Sequence, residues 1–336
     1  MQSAELSLGA ALRDATAKRE SARDKALSNL AMAMLAELSR PGPAWRAADD
    51  HPRGREVLDT FIAAIADKDA PASRRGMAAV GLGTIGEPSL LALVEDWLQA
   101  EGDAPDIMFL RECAIIGISF LGTAAPADAP EREQVLAQIR VTMDSPYPDV
   151  RFQAAMALVE VAGNDAEADL VAALRHEQHT TVRDNLVLAM GRLDPPGTAT
   201  CEALEAILDG DEADSGLGFS AAMALADARR SVARPRLLEA LVVRAHRDLA
   251  LEALAALGGA DSADCDQVLE IARRWWLPGV TRVRAAYALI CMQGAEDEGE
   301  ARAMLERFAW HPRPAVREAV TDARAALEKL GVNRAS

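Results

Sequence analysis

Aromatic side chains are scarce in this 336-residue chain: two tyrosines, six phenylalanines and five tryptophans make up only 4% of it. That poverty, with no segment of alternating β-branched residues, excludes a protein built on β-sheet. Cysteine is equally thin. Cys113, Cys201, Cys265 and Cys291 stand far apart with no Cys-x-x-Cys pair, which suits buried reduced thiols better than disulfides or a zinc site. No run of 18 or more apolar residues is present, and a charge at Glu5 interrupts the start of the chain before the apolar core of a signal peptide could form. The expected location is cytoplasmic, with no membrane partner.

Basic residues are also in deficit, 36 against 52 acidic, for a net charge of −16. The first 75 residues are nearly balanced, so the acidity belongs to the body of the protein. Such a field repels phosphate backbones and disfavours nucleic acid as a partner unless a local basic patch overrides the average.

What the chain has in abundance is internal similarity. The stretches "RRGMAAVGLGTIGEPSLLALVEDWL", "VRFQAAMALVEVAGNDAEADLVAAL" and "TRVRAAYALICMQGAEDEGEARAMLERF" share one plan: an Ala- and Leu-rich helix, a turn through Gly, Pro or Asp, and a second amphipathic helix. Aligned on the residue three before the Ala-Ala or Ala-Leu pair, the anchors are Arg75, Arg111, Arg151, Arg183, Gly218, Ala250, Arg282 and Arg317. Their mean spacing of about 35 residues is that of a stacked repeat array. Alanine at the contact positions lets helices approach closely, so neighbouring hairpins can share one continuous core. Upstream, "ARDKALSNLAMAMLAEL" and "GREVLDTFIAAIAD" read as one more helix pair, and after Arg317 there is room for a single capping helix.

Neither the tetratricopeptide nor the ankyrin signature occurs. The segment "AAVGLGTIGEPSLLALVEDWL", residues 78–98, and the Val-Arg pairs at Val150-Arg151 and Val182-Arg183 resemble the short HEAT-like repeats of the bilin-lyase type. The resemblance implies an all-α fold, an α-solenoid or superhelix of about eight stacked hairpins and a cap, with the second helices lining the concave face. On this reading residues 1–71 form an irregular helical pair, 72–331 the solenoid and 332–336 a tail.

Several motifs suggest chemistry. "GLGTIG", Gly81 to Gly86, fits a dinucleotide fingerprint letter for letter, but a helical pattern precedes it where a strand is required, so its glycines are expected to cap a helix and form the turn. His176, Glu177 and His179 fall short of a zinc-protease helix because Thr180 stands where the second ligand belongs. Deoxyhypusine hydroxylases, also HEAT-like, hold iron through several His-Glu pairs, whereas this chain has one. "DGDEAD", 209–214, has Asp214 where a calcium loop needs glycine, and with "AEDEGEA", 295–301, it reads as a solvated turn. No cofactor and no metal are expected.

Two basic stretches are the candidate binding residues. Arg229, Arg230, Arg234 and Arg236 either pair with acidic turns of adjacent repeats or form a site for a carboxylate or other anion. "IARRWWLPG" sets Arg273 and Arg274 against Trp275 and Trp276. Trp310 follows Trp275 by 35 residues, and Trp97 occupies the corresponding place in its own repeat, which suggests indoles covering the seam between hairpins. Adjacent residues on a helix point about 100° apart, so one of Trp275 and Trp276 is expected in the core and the other exposed beside the arginines as a contact.

The function expected is noncatalytic: a scaffold or adaptor holding an unidentified protein partner along the concave face or an edge of the solenoid. A bilin-lyase-like or other small-molecule enzyme is the alternative, and nucleic-acid binding through the local Arg/Trp patch, as in HEAT-like DNA glycosylases, is a second.

Overall fold

The computed structural model describes residues 7–15, 17, 20–210, 212–213, 215–292 and 298–330. Among these residues the secondary structure is helical throughout, with no strand. The tail at 332–336 lies outside them, as do parts of the acidic turns at 209–214 and 295–301.

Two compact units divide the chain, Met1–Leu186 and Val187–Ser336. In the first, α1 (Leu8–Ala15) precedes four hairpins: α2 (Glu20–Glu37) with α3 (Gly54–Ala66), α4 (Ala72–Thr84) with α5 (Leu90–Gln99), α6 (Pro105–Ala124) with α7 (Pro130–Met143), and α8 (Pro148–Ala162) with α9 (Glu167–His176). The boundary falls inside α10 (Thr180–Met190), whose hairpin partner in sequence is α11 (Thr198–Leu208). The second unit continues with α12 (Gly216–Asp227) and α13 (Arg234–Ala240), α14 (Arg247–Leu257) and α15 (Ser262–Arg273), α16 (Gly279–Cys291) and α17 (Glu298–Phe308), and closes on α18 (Pro314–Lys329). The eight hairpins and the cap match the repeat count; α1 is an addition that the periodicity does not reveal.

Local chemistry explains the helix starts. Proline opens α6, α7, α8 and α18, where its missing N–H costs no hydrogen bond, while the Ser215 and Asp261 side chains accept from the Gly218 and Asp264 amides to cap α12 and α15. The Gly81–Gly86 segment ends α4 in a Schellman turn: Gly86, at φ 66°, donates to the Gly83 carbonyl and Glu87 to that of Leu82. Its glycines therefore serve the helix and its close packing, as expected.

The Ala- and Gly-rich first helices stack directly on one another, α2 on α4, α4 on α6 and α6 on α8 in the first unit, α12 on α14, α14 on α16 and α16 on α18 in the second. The second helices pack on these first helices on either side. The small-residue helices are thus the closely spaced layer of each unit. The longest member of that layer, α6, is also long and apolar enough to cross a membrane, but it sits within the first unit, packed on α4, α5, α7 and α8, and it buries Arg111 at 1% exposure.

The recurring arginine of the repeat has a structural assignment. In each case it stands in the first helix and its guanidinium donates to a carbonyl at or just past the C-terminal end of the preceding second helix: Arg75 to Ile65, Arg111 to Ala100, Arg151 to Ser145, Arg183 to Leu174, Arg282 to Ala272 and Arg317 to His311. A cation there satisfies orphan carbonyls and complements the helix dipole. The two repeats without the arginine solve the problem differently. A Cβ at Gly218 would lie 1.9 Å from the Ala213 carbonyl oxygen, so the incoming loop itself fills the space, and Arg247, one turn before Ala250, bonds the Leu241 and Val242 carbonyls.

Arg151 does more. Its Nε and Nη2 grip both oxygens of Glu177 at 2.6 and 2.8 Å, and the same carboxylate accepts from the amides of Gln178 and His179. With the Arg151 hydrogen bonds as the main cause, the Glu177 carboxyl is held down at about 2, against the burial that opposes it. Its stabilisation is present above the unfolded carboxylate range near 4.5 and is lost as pH falls toward 2. After allowance for solvent screening, Glu177→Gln should cost about 2 kcal/mol at pH 7. Urea unfolding at pH 7 and pH 2.5 tests this: the gap between wild type and variant should shrink in acid, and an unchanged gap would count against the carboxylate as the cause.

Candidate functional site

The turns that join one hairpin to the next change character along the chain. Each of the first five contains at least one carboxylate: Asp67, Glu101, Asp144, Glu177 and Asp209 are examples in order. The last three contain none. They read "LVVRAH" (241–246), "RWWLP" (274–278) and "AWHPR" (309–313), in a protein of net charge −16.

These three turns are exposed and apolar. Val242 and Val243 are 78% and 44% exposed, Trp275 and Trp276 79% and 63%, and Trp310 88%. From Val242 to Trp275 is 33 residues and from Trp275 to Trp310 is 35, one repeat in each case. Because α14, α16 and α18 stack in succession, the turns that lead into them follow one another along a single edge of the second unit.

Each turn is held from below. Arg247 ties down the Leu241 and Val242 carbonyls, and the His246 ring stacks on buried Phe219 at 4.4 Å. Arg282 donates to Ala272 and lies 4.9 Å over the Phe308 ring, while Arg317 bonds the His311 and Pro312 carbonyls. The exposed side chains therefore stand on a braced backbone, which lowers the entropic cost of contact with a partner.

Trp275 and Trp276 correct the sequence reading. Neither is in the core. Helix α15 ends at Arg273, so the pair lies on a turn, edge to face with centroids 6.0 Å apart, and the helical rule that would have turned one inward does not apply. Trp310 likewise stands past the end of α17 at Phe308. Of the tryptophans aligned by the repeat, Trp97, inside α5 and 7% exposed, fills a seam, with Arg75 5.1 Å over its ring; Phe308 takes that place under Arg282.

The arginines separate into two groups. Arg230 pairs with Glu205 at 2.7 Å, Arg234 with Asp264 at 3.4 Å and the Gly258 carbonyl at 2.7 Å, and Arg236 with Glu239 at 3.3 Å and the Ser215 carbonyl at 3.0 Å. Arg229 stands exposed on the turn after α12 at φ 56°. This stretch follows the pairing alternative rather than an anion site. Arg273 holds Glu300 at 2.5 Å and Arg274 holds Glu270 at 3.1 Å, both on the solvent side. On the edge itself, exposed Arg244 and Arg313 have no carboxylate partner among the described residues. Sequence reasoning missed Val242, Val243, Arg244 and Arg313 because it compared helices; comparing the turns at the repeat period would have found them.

No group of three or more metal-binding side chains occurs among the described residues, and all four cysteines are buried with no disulfide between them. Burial pushes the Cys113 thiol up to about 12, far from a reactive thiolate.

Stacked hairpins of this plan, with a braced and exposed edge, define an α-solenoid of HEAT-like repeats. The family model for HEAT repeats matches residues 133–216, about a quarter of the chain. The fold is similar to that of Kap121p: a triple mutant of that protein aligns with TM-score 0.58 at 15% identity, and Kap121p bound to Nup53p with TM-score 0.57 at 15% identity. Each alignment covers 96% of this chain and 37% of Kap121p, so the chain spans well under half of that protein's length. The complex of CpcE and CpcF of phycocyanin lyase from Nostoc aligns over 87% of this chain and 97% of the other at 18% identity, with a TM-score of 0.39 that carries no argument. Among curated proteins, no sequence matches.

Proposed function

We propose that this chain is a noncatalytic adaptor that binds a protein partner along the edge formed by Val242, Trp275, Trp276 and Trp310. The observation that carries the reading is the repeat-spaced exposure of these side chains on turns stripped of carboxylates. Tryptophan and arginine dominate interface hot spots, and large apolar residues left in water on successive repeats mark an interaction surface. A stacked array presents extended area instead of a deep pocket, which suits polypeptide. Kap121p, a solenoid of similar fold, is found bound to the protein Nup53p, which supports protein binding as a use of this architecture. Four buried, unbridged thiols are in keeping with a reducing, cytoplasmic setting.

A photo-crosslinking amino acid installed at Trp276 or Trp310 tests the reading in cells of the source organism. The expected result is a discrete protein adduct at both positions and none when the same group is placed at Glu101, on an acidic turn of the first unit. Adducts that disappear on nuclease treatment, or equal labelling at Glu101, would overturn it.

A further inference from the structure

We infer that the partner of this edge is an extended, acidic polypeptide segment with a large apolar residue at every third position. The inference rests on the protein-binding reading above and adds the partner's chemistry, from spacing and charge.

Spacing comes from the stack. Packed helices lie about 8–10 Å apart, so the turns entering α14, α16 and α18 are separated by about that distance. A segment in the extended polyproline II conformation rises about 3.1 Å per residue with three residues per turn, so three residues span one repeat and every third side chain faces the edge. A segment lying along the edge would place an apolar side chain against Val242 and Val243, the next against Trp275 and Trp276, and a third against Trp310. Seven to nine residues cover all three turns.

Charge selects what lies between those anchors. The three turns lack Asp and Glu, and exposed Arg244 and Arg313 stand at the two outer turns without a carboxylate partner among the described residues. At the middle turn Arg274 has, among the described residues, the carboxylate of Glu270 of its own helix as ion-pair partner, an exposed i, i+4 pair that a better acceptor can replace at little cost. Guanidinium takes carboxylate through two parallel hydrogen bonds. The acidic body of the protein does not cancel this, since fields at ordinary salt are screened over about 8 Å.

Nucleic acid fits less well. Along the roughly 20 Å of the edge a duplex presents about twelve phosphates, at one charge per ~1.7 Å, against two unpaired arginines. A short peptide with two or three carboxylates matches that number.

The test uses the full chain and fluorescein-labelled nonapeptides with Leu at every third position: one with Glu and Asp between, one with Lys between, and one with the acidic composition but its leucines clustered. The expected result is saturable anisotropy with the acidic, regularly spaced peptide and a blue shift of tryptophan emission. Binding should weaken at least tenfold in Trp276→Ala/Trp310→Ala, as hot-spot truncation does. In Arg244→Glu/Arg313→Glu the preference should reverse, with the Lys peptide now the tighter binder; because that variant gains a ligand, misfolding cannot mimic the result. If the Lys or clustered peptide binds wild type as well as the acidic one and still depends on the tryptophans, the partner chemistry is overturned while the edge stands as a protein site. If no peptide binds, and anionic vesicles, single-stranded DNA or self-association of the chain shifts the tryptophan emission instead, both this inference and the protein-binding reading fall.

Discussion

Gly83→Ala should lower the stability of the first unit by about 3 kcal/mol, the upper part of the range for forcing atoms into a packed core. Helix propensity alone predicts the opposite. Gly83 lies within α4, where alanine is favoured over glycine by about 1 kcal/mol. The packing reverses the sign. A Cβ at Gly83 would lie 2.0 Å from the carbonyl oxygen of Gly117 in α6, and one at Gly117 would lie 2.9 Å from the Ala79 carbonyl oxygen in return. The obstacle on both sides is backbone, which cannot swing aside as a flexible side chain would. The two helices must separate, and the buried residues between them, Ala79, Leu82 and Ile118 among others, then lose close contact. Urea unfolding with hydrogen exchange over α4 and α6 checks the prediction. Gly216→Ala is the control: it too is a helical glycine, the first residue of α12, but its Cβ would meet nothing within 4 Å, so it should be neutral or mildly stabilising. Equal effects at both positions would show that the α4–α6 approach is not what requires glycine.

Arg111→Ala is expected to cost about 3 kcal/mol, the largest effect among the recurring arginines. All six cap the helix before them, but they differ in burial. Arg111 is 1% exposed, donates to the Ala100 carbonyl and lies 4.0 Å over the Tyr147 ring, so its removal leaves a cavity, an unsatisfied carbonyl and an uncovered aromatic face together. Arg317 makes the same kind of bond in the open, where water can replace it, and Arg317→Ala should cost under about 1 kcal/mol. Arg111→Lys should recover little, because an ammonium cannot both stack on the ring and reach the carbonyl in the guanidinium's plane. Thermal unfolding of the series decides between the two possible origins. A cost that rises with burial supports desolvated capping, whereas a uniform cost would point to helix-dipole electrostatics alone.

The repeat register was legible because stacking imposes it on composition. Helices that touch their neighbours along the whole array must be small on the contact face, and the same Ala-rich pattern, with an arginine to close the preceding helix, returns about every 35 residues. The positions of α2 through α18 follow from that periodicity with caps and prolines at their ends. The glycines of Gly81 to Gly86 were also readable, since a phosphate loop requires a preceding strand that the pattern rules out.

The site was less legible, and the residues show why. Whether Trp275 is core or surface depends on whether α15 ends at Arg273 or runs two residues further, and a helix end is set by a balance of weak terms that a single sequence does not resolve. The sequence aligns Trp310 with Trp97, yet Phe308 takes the place of Trp97 under its arginine, and Trp310, two residues past the end of α17, stands 88% exposed. The arginines depended on partners distant in sequence: Glu205 lies 25 residues from Arg230 and Glu300 lies 27 from Arg273, and only the stacking of hairpins brings them within reach. By itself, then, the sequence determined the all-helical class, the period and the number of hairpins, because these follow from local pattern and close packing. Tertiary structure alone decided which layer packs tightly, which charges are neutralised and which aromatics face solvent, because each depends on where a helix stops and on what the neighbouring repeat places beside it.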